Sequence, residues 1–176
     1  FDAFVGNPPF MGGSKIATEY GVPYRDHLVD VIAEERRGQR GQADLCSYFF
    51  CRLAMLVRLH GSFGVLATNT ISQGDTRVAG LDHLTASGLV IYRAIATQRW
   101  PGTANLEVAS VWTRRGIWAG TSLLDEKEVE SITSLLTPSG QITGTPHRLK
   151  RNGNLSFEGS RIEGTGFVLS PEQASS

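Results

Sequence analysis

The chain has 176 residues, a length that suits one domain or one domain with part of a second. Its 17 Lys and Arg residues balance 17 Asp and Glu residues and 40% of its residues are hydrophobic, so the composition excludes a disordered acidic tail and a basic arm that coats nucleic acid. No apolar run approaches the roughly 20 residues that a membrane span needs, so we expect a cytoplasmic protein without membrane contact.

The hydrophobic pattern of the first part predicts a strand and two helices. Residues 1–5 form a short apolar run that ends at a glycine, as a buried strand does. After a glycine-containing loop, Pro23 begins a predicted helix. Its expected buried face consists of Tyr24, Leu28, Val31 and Ile32. Asp44 is placed to cap a second helix that runs to about His60.

The middle of the chain alternates between the two kinds of element. Residues 62–68 are a predicted buried strand, followed by a polar loop at 69–76 and a short helix at 77–86. Residues 89–96 and 106–113 are two more predicted strands, joined as a long hairpin. This succession predicts an α/β fold, half of a doubly wound sheet with an antiparallel finish.

The last part of the chain differs in composition. Residues 126–136 carry acidic residues first and then apolar residues on one side, which predicts a short helix. Short strand patterns follow at 156–158 and 166–169, in a stretch rich in Gly, Ser, Thr, Asn and Arg. We therefore expect one domain at residues 1–118, and a linker with the start of a target-recognition region at 119–176.

The cysteines and histidines indicate neither a disulfide nor a metal site. Cys46 and Cys51 lie five residues apart in a predicted helix, where a rise of about 1.5 Å per residue puts their Cα atoms beyond disulfide reach. We expect both to be reduced core residues. The four histidines are scattered without a second ligand at metal spacing, so no metal site is predicted.

The motif with the strongest chemical content is Asn7-Pro8-Pro9-Phe10, directly after the first predicted strand. Two consecutive prolines fix two φ angles and remove two N–H donors, so the loop holds an amide, a carbonyl and a ring in a fixed relation. Ligands of an open α/β sheet bind at the carboxyl ends of its strands, where this loop is expected. The sequence therefore predicts a ligand site here.

A strand followed by Asn-Pro-Pro-Phe resembles the catalytic motif of amino-directed DNA methyltransferases, in particular those that methylate N6 of adenine with S-adenosylmethionine. Further segments are similar to the large methyltransferases of bacterial restriction-modification and phage-defence systems. These segments are Gly12-Gly13, residues 44–50, 67–71 and 73–77, and Trp100-Pro101-Gly102. The resemblance spans roughly residues 1–116. It implies the C-terminal half of a Rossmann-like class I methyltransferase sheet, with a short irregular tail.

The resemblance also implies a role for each residue of the motif. The Asn7 side-chain oxygen and the Pro8 carbonyl would accept the two hydrogens of the adenine amine. Phe10 would stack on a base extruded from double-stranded DNA, and Pro9 completes the rigid loop. The methyl group would then pass directly from the sulfonium to nitrogen, without a metal or a covalent enzyme intermediate.

Enzymes of this kind bind their cofactor through a glycine-rich turn and an acidic residue, both normally upstream of the Asn-Pro-Pro-aromatic loop. Because neither is present, we expect the main S-adenosylmethionine site to lie upstream of Phe1. We therefore expect this fragment alone to be inactive. Which residues of the fragment contact the cofactor is unknown from the sequence. Without the neighbouring cofactor strand, residues 1–5 should form an exposed sheet edge through which the fragment self-associates.

Two sets of residues are candidates for contact with DNA. Phosphate contacts are predicted for Arg114, Arg115, Arg148, Lys150 and Arg151, with a solvated loop as the alternative for the last three. Asp75 and Arg77, after the strand at residues 62–68, are candidates for shaping the target pocket, with helix capping as the alternative.

Other functions stay open from the sequence. One is a non-catalytic module that keeps the half-fold for DNA binding or assembly, and the others are N4-cytosine and protein-glutamine methylation. The intact motif favours an enzyme, because a scaffold needs no pair of acceptors beside an aromatic ring. The Gly- and Arg-bearing tail favours DNA over protein as the acceptor.

Overall fold

The computed structural model describes residues 1–33, 42–104 and 106–140. All of these residues belong to one compact unit, Phe1–Ile142. The basic cluster Arg148, Lys150 and Arg151 lies outside the described residues, and so do the strand patterns at 156–158 and 166–169.

Within the described residues six strands form one mixed sheet. They are β1 (Ala3–Gly6), β2 (Ser62–Thr68), β3 (Leu89–Arg99), β4 (Glu107–Arg115), β5 (Ser122–Leu124) and β6 (Lys127–Val129). Their order is β1-β2-β4-β3-β5-β6. The pairs β1·β2 and β3·β5 are parallel and the others antiparallel, so β1, β2, β3 and β5 run in one direction. Strand β4 is thus antiparallel to both of its neighbours, β2 and β3. The sheet therefore contains the antiparallel hairpin that the sequence predicts.

The described helices are short. They are α1 (Gly13–Tyr20), α2 (Val22–His27), α3 (Leu45–Leu56), α4 (Gly74–Arg77) and α5 (His83–Ala86). A π-helical turn, Leu28–Ile32, continues α2, and a second one, Val78–Asp82, joins α4 to α5. A 3-10 turn, Asn69–Ser72, connects β2 to α4.

Helix α3 packs on one face of the sheet. Alternate residues of β2, Phe63, Val65 and Ala67, are buried on that face because successive side chains of a strand point to opposite sides. The ring of Phe50 in α3 meets Phe63 edge-on, with 6.1 Å between ring centroids. Burying each such ring stabilises the fold by about 1.5 to 3 kcal/mol. A second cluster around Ile16 and Leu28 joins α1 and the π-helical turn Leu28–Ile32 to α3.

The predicted helix at residues 126–136 is wrong, because β5 and β6 form a hairpin there. Asp125 and Glu126 are its two loop residues and have φ values of 49° and 62°, as the tightest hairpin turns require. The Asp125 carboxylate accepts the Ala96 N–H at 2.9 Å, and the Asp125 N–H donates to the Ala94 carbonyl at 2.9 Å. Pairing with β3 therefore outweighs the local helical pattern.

Two predictions near the start of the chain, a loop and the buried face of a helix, are also corrected. Helix α1 occupies part of the segment predicted as a loop, because its glycine-rich start carries a weak helix signal. Tyr24 and Val31 were expected to be buried, but they are 40% and 53% exposed. The wider π-helical turn shifts the spacing of the buried face, so Leu28 lies in the core and Val31 does not.

The second predicted helix, expected to reach about His60, ends at Leu56 instead. Val57 is already extended, with φ −74° and ψ 131°. The next residue, Arg58, donates its N–H to the Phe1 carbonyl at 3.0 Å and forms an ion pair with Asp2 at 2.5 Å. These bonds direct the chain out of the helix and along β1.

Strands β5 and β6 extend the sheet past residue 118, the expected end of the first domain. The hairpin joins the sheet through β5, which pairs with β3. The division into domains at residues 1–118 and 119–176 stays a prediction.

Candidate active site

The loop Asn7–Phe10 leaves the sheet where β1 ends. Gly6 is the last paired residue of β1, and it lies opposite Val65 of the parallel strand β2. Asn7 and Pro9 are exposed, Pro8 is buried, and Phe10 is partly buried against the main core. Packing therefore holds Phe10, while the Asn7 amide faces solvent at the carboxyl edge of the sheet.

Asp44 fastens the end of this loop. It is 7% exposed, and one of its carboxylate oxygens accepts the N–H groups of Met11 at 3.3 Å and Cys46 at 3.0 Å. The Leu45 N–H donates to the Met11 carbonyl at 2.8 Å. The Asp44 N–H donates to Thr76 Oγ1 at 3.0 Å. Asp44 thus caps α3, as predicted, and also joins the loop to α4, which the sequence did not reveal.

A polar cavity of about 530 Å³ lies beside the exit of the loop. It is lined by Gly12, Gln42, Asp44, Thr68, Asn69, Thr70, Thr76, Leu106 and Glu107. Asn69 Nδ2 donates to Glu107 Oε2 at 2.9 Å, and the hydroxyls of Thr68 and Thr70 are hydrogen-bonded at 2.8 Å. Because the charged side chains of the lining, Asp44 and Glu107, are both carboxylates, the cavity suits a group that donates hydrogen bonds better than a phosphate.

Two smaller hollows meet at Asn7, one on each side of β1. The first, about 250 Å³, has an apolar wall that includes Pro8, Phe49 and Leu53. The second, about 350 Å³, lies against Gly64 and Trp112. Asn7 is exposed and borders both hollows.

Of the two predicted target-pocket residues, neither lines the polar cavity. Asp75 is partly buried in the first turn of α4. Arg77 forms an ion pair with Asp82 at 3.3 Å, with its side chain 13% exposed. The residue between them, Thr76, lines the cavity instead.

The predicted DNA contacts Arg114 and Arg115 lie at the other end of the sheet from Asn7. Arg114 is paired with Ser62, the first residue of β2, whereas the motif lies beyond the carboxyl end of β1. The Arg115 guanidinium donates to the Ala54 carbonyl and so ties β4 to α3. Arg114 lies near the ring of Trp118, at 6.0 Å from its centroid. The structure therefore does not bring these two arginines to the motif.

Cys46 and Cys51 are buried and form no disulfide, as predicted, and the Cys51 thiol donates to the Ala79 carbonyl at 3.0 Å. Burial, together with the negative charge of Asp44, raises the pKa of Cys46 to about 12. The Cys46 thiol is therefore protonated near neutral pH and is a poor nucleophile. Among residues 1–33, 42–104 and 106–140, no three His, Cys, Asp or Glu side chains are grouped as metal ligands.

Asn69 and Glu107 are site residues that the sequence reading missed. Asn69 directly follows β2, and Glu107 begins β4 beside it. The rule that located Asn7, that ligands meet polar residues just beyond the carboxyl ends of strands, would have found Asn69 as well. Glu107 carries no such signal, because its place depends on how the hairpin inserts into the sheet.

No family model matches the chain, and no curated protein matches it. A solved structure is similar, that of the Type IIL restriction-modification enzyme MmeI in complex with DNA. The match has 17% sequence identity and a TM-score of 0.66, and it covers 83% of this chain and 21% of that one. The chain thus spans about a fifth of that enzyme's length. The likeness confirms the predicted Rossmann-like α/β fold. No helix in the described part of the chain is long and apolar enough to cross a membrane.

Proposed function

We propose that this chain carries the catalytic loop of a DNA methyltransferase that modifies N6 of an adenine extruded from double-stranded DNA. The observation that carries the proposal is the position of Asn7–Phe10. It is a rigid loop at the carboxyl edge of the parallel strands, with an exposed amide beside a half-buried ring. The fold, which is similar to that of a restriction-modification enzyme, supports this function.

The chemistry of an aromatic amine explains why such a loop is needed. The lone pair of the N6 amine is delocalised into the adenine ring, so the amine is a poor nucleophile. Two acceptors fixed at its hydrogens favour the more tetrahedral nitrogen on which a methyl group can form a bond. We assign these acceptors to Asn7 Oδ1 and to the Pro8 carbonyl. After transfer, the amine loses one of its protons to solvent.

Phe10 is assigned to hold the extruded base. Its ring packs partly against the core, which fixes its orientation and leaves part of the ring for stacking. A base stacked on an aromatic side chain gains about 1 to 3 kcal/mol in single-strand binding proteins, and we expect a similar gain here. The polar cavity beside the loop exit, with the carboxylates of Asp44 and Glu107 in its lining, suits the hydrogen-bond donors on the edge of a base.

S-adenosylmethionine, when bound, supplies a methyl group activated by the positive charge on its sulfonium sulfur. The hollows on both sides of β1 leave Asn7 accessible, which is compatible with a cofactor that meets the amine there. Cys46 is not assigned a role in transfer because its buried thiol is protonated.

DNA contacts by the basic residues belong to the same proposal. We propose phosphate contacts for Arg114, Arg115, Arg148, Lys150 and Arg151. Asp75 and Arg77 would act on the target pocket through the position of Thr76 between them. The cytoplasm, where bacterial DNA lies, is the proposed location.

The test is the identity of the methylated product. The full-length protein that contains this chain is incubated with double-stranded DNA and S-adenosylmethionine labelled in its methyl group, and the DNA is digested to nucleosides and separated. We expect the label in N6-methyldeoxyadenosine. Label in N4-methyldeoxycytidine would correct the target base, and label in protein would correct the acceptor. No transfer by a folded, DNA-binding protein would favour the non-catalytic module.

A further inference from the structure

Asp44 connects three parts of the site through hydrogen bonds of its own. Its side-chain oxygen binds the backbone of Met11 at the loop exit and of Cys46 in α3. Its backbone N–H binds Thr76 in α4, which lines the polar cavity. At 7% exposure, this carboxylate is shielded from water, so these contacts are not readily exchanged for solvent.

Helix capping explains only one of these contacts, the bond to Cys46. A capping side chain needs to accept an N–H from the first turn, which the bond to Cys46 at 3.0 Å provides. Met11 makes a second, separate connection. Its N–H donates to Asp44 Oδ1 and its carbonyl accepts the Leu45 N–H at 2.8 Å, so both of its backbone polar groups are held by adjacent residues.

The loop needs such a connection because its own backbone supplies little. Pro8 and Pro9 have no N–H to donate, and the ladder of β1 ends at Gly6. The loop is therefore held at one end by the sheet and at the other by the bonds at Met11. A displacement of about 1 Å in a reacting group can cost about a hundredfold in rate, so the position of the second end matters for chemistry.

We propose that Asp44 is a positioning residue for the loop Asn7–Phe10. It fixes the loop exit against the start of α3 and, through Thr76, against the wall of the polar cavity. Its catalytic consequence rests on the proposed methyltransferase function, whereas the mechanical connection does not.

The test compares Asp44→Ala, Asp44→Asn and Ser47→Ala in the full-length protein. Asp44→Ala removes both side-chain bonds, whereas Asp44→Asn keeps an oxygen that can accept from Met11 and Cys46. Ser47→Ala is the control, because the Ser47 hydroxyl donates to the Asp44 carbonyl at 2.8 Å in the same helical turn without contact to Met11. Single-turnover methyl transfer and affinity for DNA are measured for each.

We expect Asp44→Ala to slow transfer about ten- to hundredfold while its affinity for DNA changes less than about threefold. Asp44→Asn and Ser47→Ala should transfer within about threefold of the unmodified protein. Transfer by Asp44→Ala at the unmodified rate would overturn the proposal. An equal loss in Ser47→Ala would overturn it too, because the effect would then belong to the helix start.

Hydrogen exchange at the Met11 amide separates this proposal from the proposed function. Faster exchange in Asp44→Ala, but not in Ser47→Ala, supports the connection even if the unmodified protein transfers no methyl group. Unchanged exchange overturns it. If Asp44→Ala does not fold, Asp44→Ser decides, because a serine hydroxyl still caps the first turn of α3 but removes the carboxylate that accepts the Met11 N–H. Faster exchange at the Met11 amide in Asp44→Ser then supports the proposal, and unchanged exchange overturns it.

Discussion

The indole of Trp112 lies directly over Gly64, its paired residue on the neighbouring strand. A Cβ atom added to Gly64 would lie 2.5 Å from Trp112 Cδ1 and 2.7 Å from Nε1. The Arg93 guanidinium lies over the Trp112 ring, 4.9 Å from its centroid. The ring therefore cannot move away from a larger residue at position 64 without losing this contact.

We expect Gly64→Ala to lower the free energy of unfolding by about 1 to 3 kcal/mol, the usual cost of overpacking. Gly12→Ala is the control, because its φ of −58° suits any residue and no atom beyond its two chain neighbours lies within 4 Å of the added Cβ. The control should change stability by less than about 0.5 kcal/mol. Urea denaturation measures both. Equal stability of the two variants would show that Trp112 moves freely.

The raised pKa of Cys46 predicts how stability depends on pH. The native thiol keeps its proton up to a pKa of about 12, whereas an exposed thiol in the unfolded chain ionises near 8.5. This group's contribution is thus fully present below about pH 8.5 and is lost as the pH rises toward the native value. Urea denaturation at increasing pH should show a steeper decline for the unmodified chain than for Cys46→Ala. Equal declines in the stability of the two proteins would show that the pKa of Cys46 is not raised in the native chain.

The free edge of β1 predicts self-association of the chain. β1 is the first strand in the sheet order of the described residues, and Val5 is 94% exposed. A lysine on an edge strand opposes pairing with another chain. We expect light scattering to show association that grows with concentration, and Val5→Lys to reduce it. Val22→Lys, which places the same charge at an exposed valine of α2, should not. A strictly monomeric chain at high concentration would contradict the prediction.

The parts of the fold that the sequence predicts are those with strong local patterns. Strand β2 matches the predicted residues 62–68, because a short apolar run between polar turns has few other solutions. The hairpin of β3 and β4 is confirmed in the same way, although both strands run beyond the predicted ends. The position of the motif after β1 also follows from local signals, the end of an apolar run and two prolines.

The parts that the sequence missed depend on distant partners. The hairpin of β5 and β6 replaces a helix because Asp125 bonds to Ala94 and Ala96 of β3, about 30 residues earlier. The bond between Met11 and Asp44 joins residues 33 positions apart, and Asn69 meets Glu107 across 38. No periodicity within one segment encodes these pairs. The loop Asn7–Phe10 could therefore be predicted from the sequence, but the hydrogen bonds that hold it could not.

The most direct test of the proposed function is single-turnover methyl transfer by the full-length protein with Asn7→Ala. Asn7 is exposed, so the variant should fold, and its affinity for DNA should equal that measured for the unmodified protein. Loss of one acceptor that acts on the reacting amine should slow transfer about a hundred- to a thousandfold, as the loss of one oxyanion donor does in other enzymes. Transfer within about threefold of the unmodified rate would contradict the assignment of this loop.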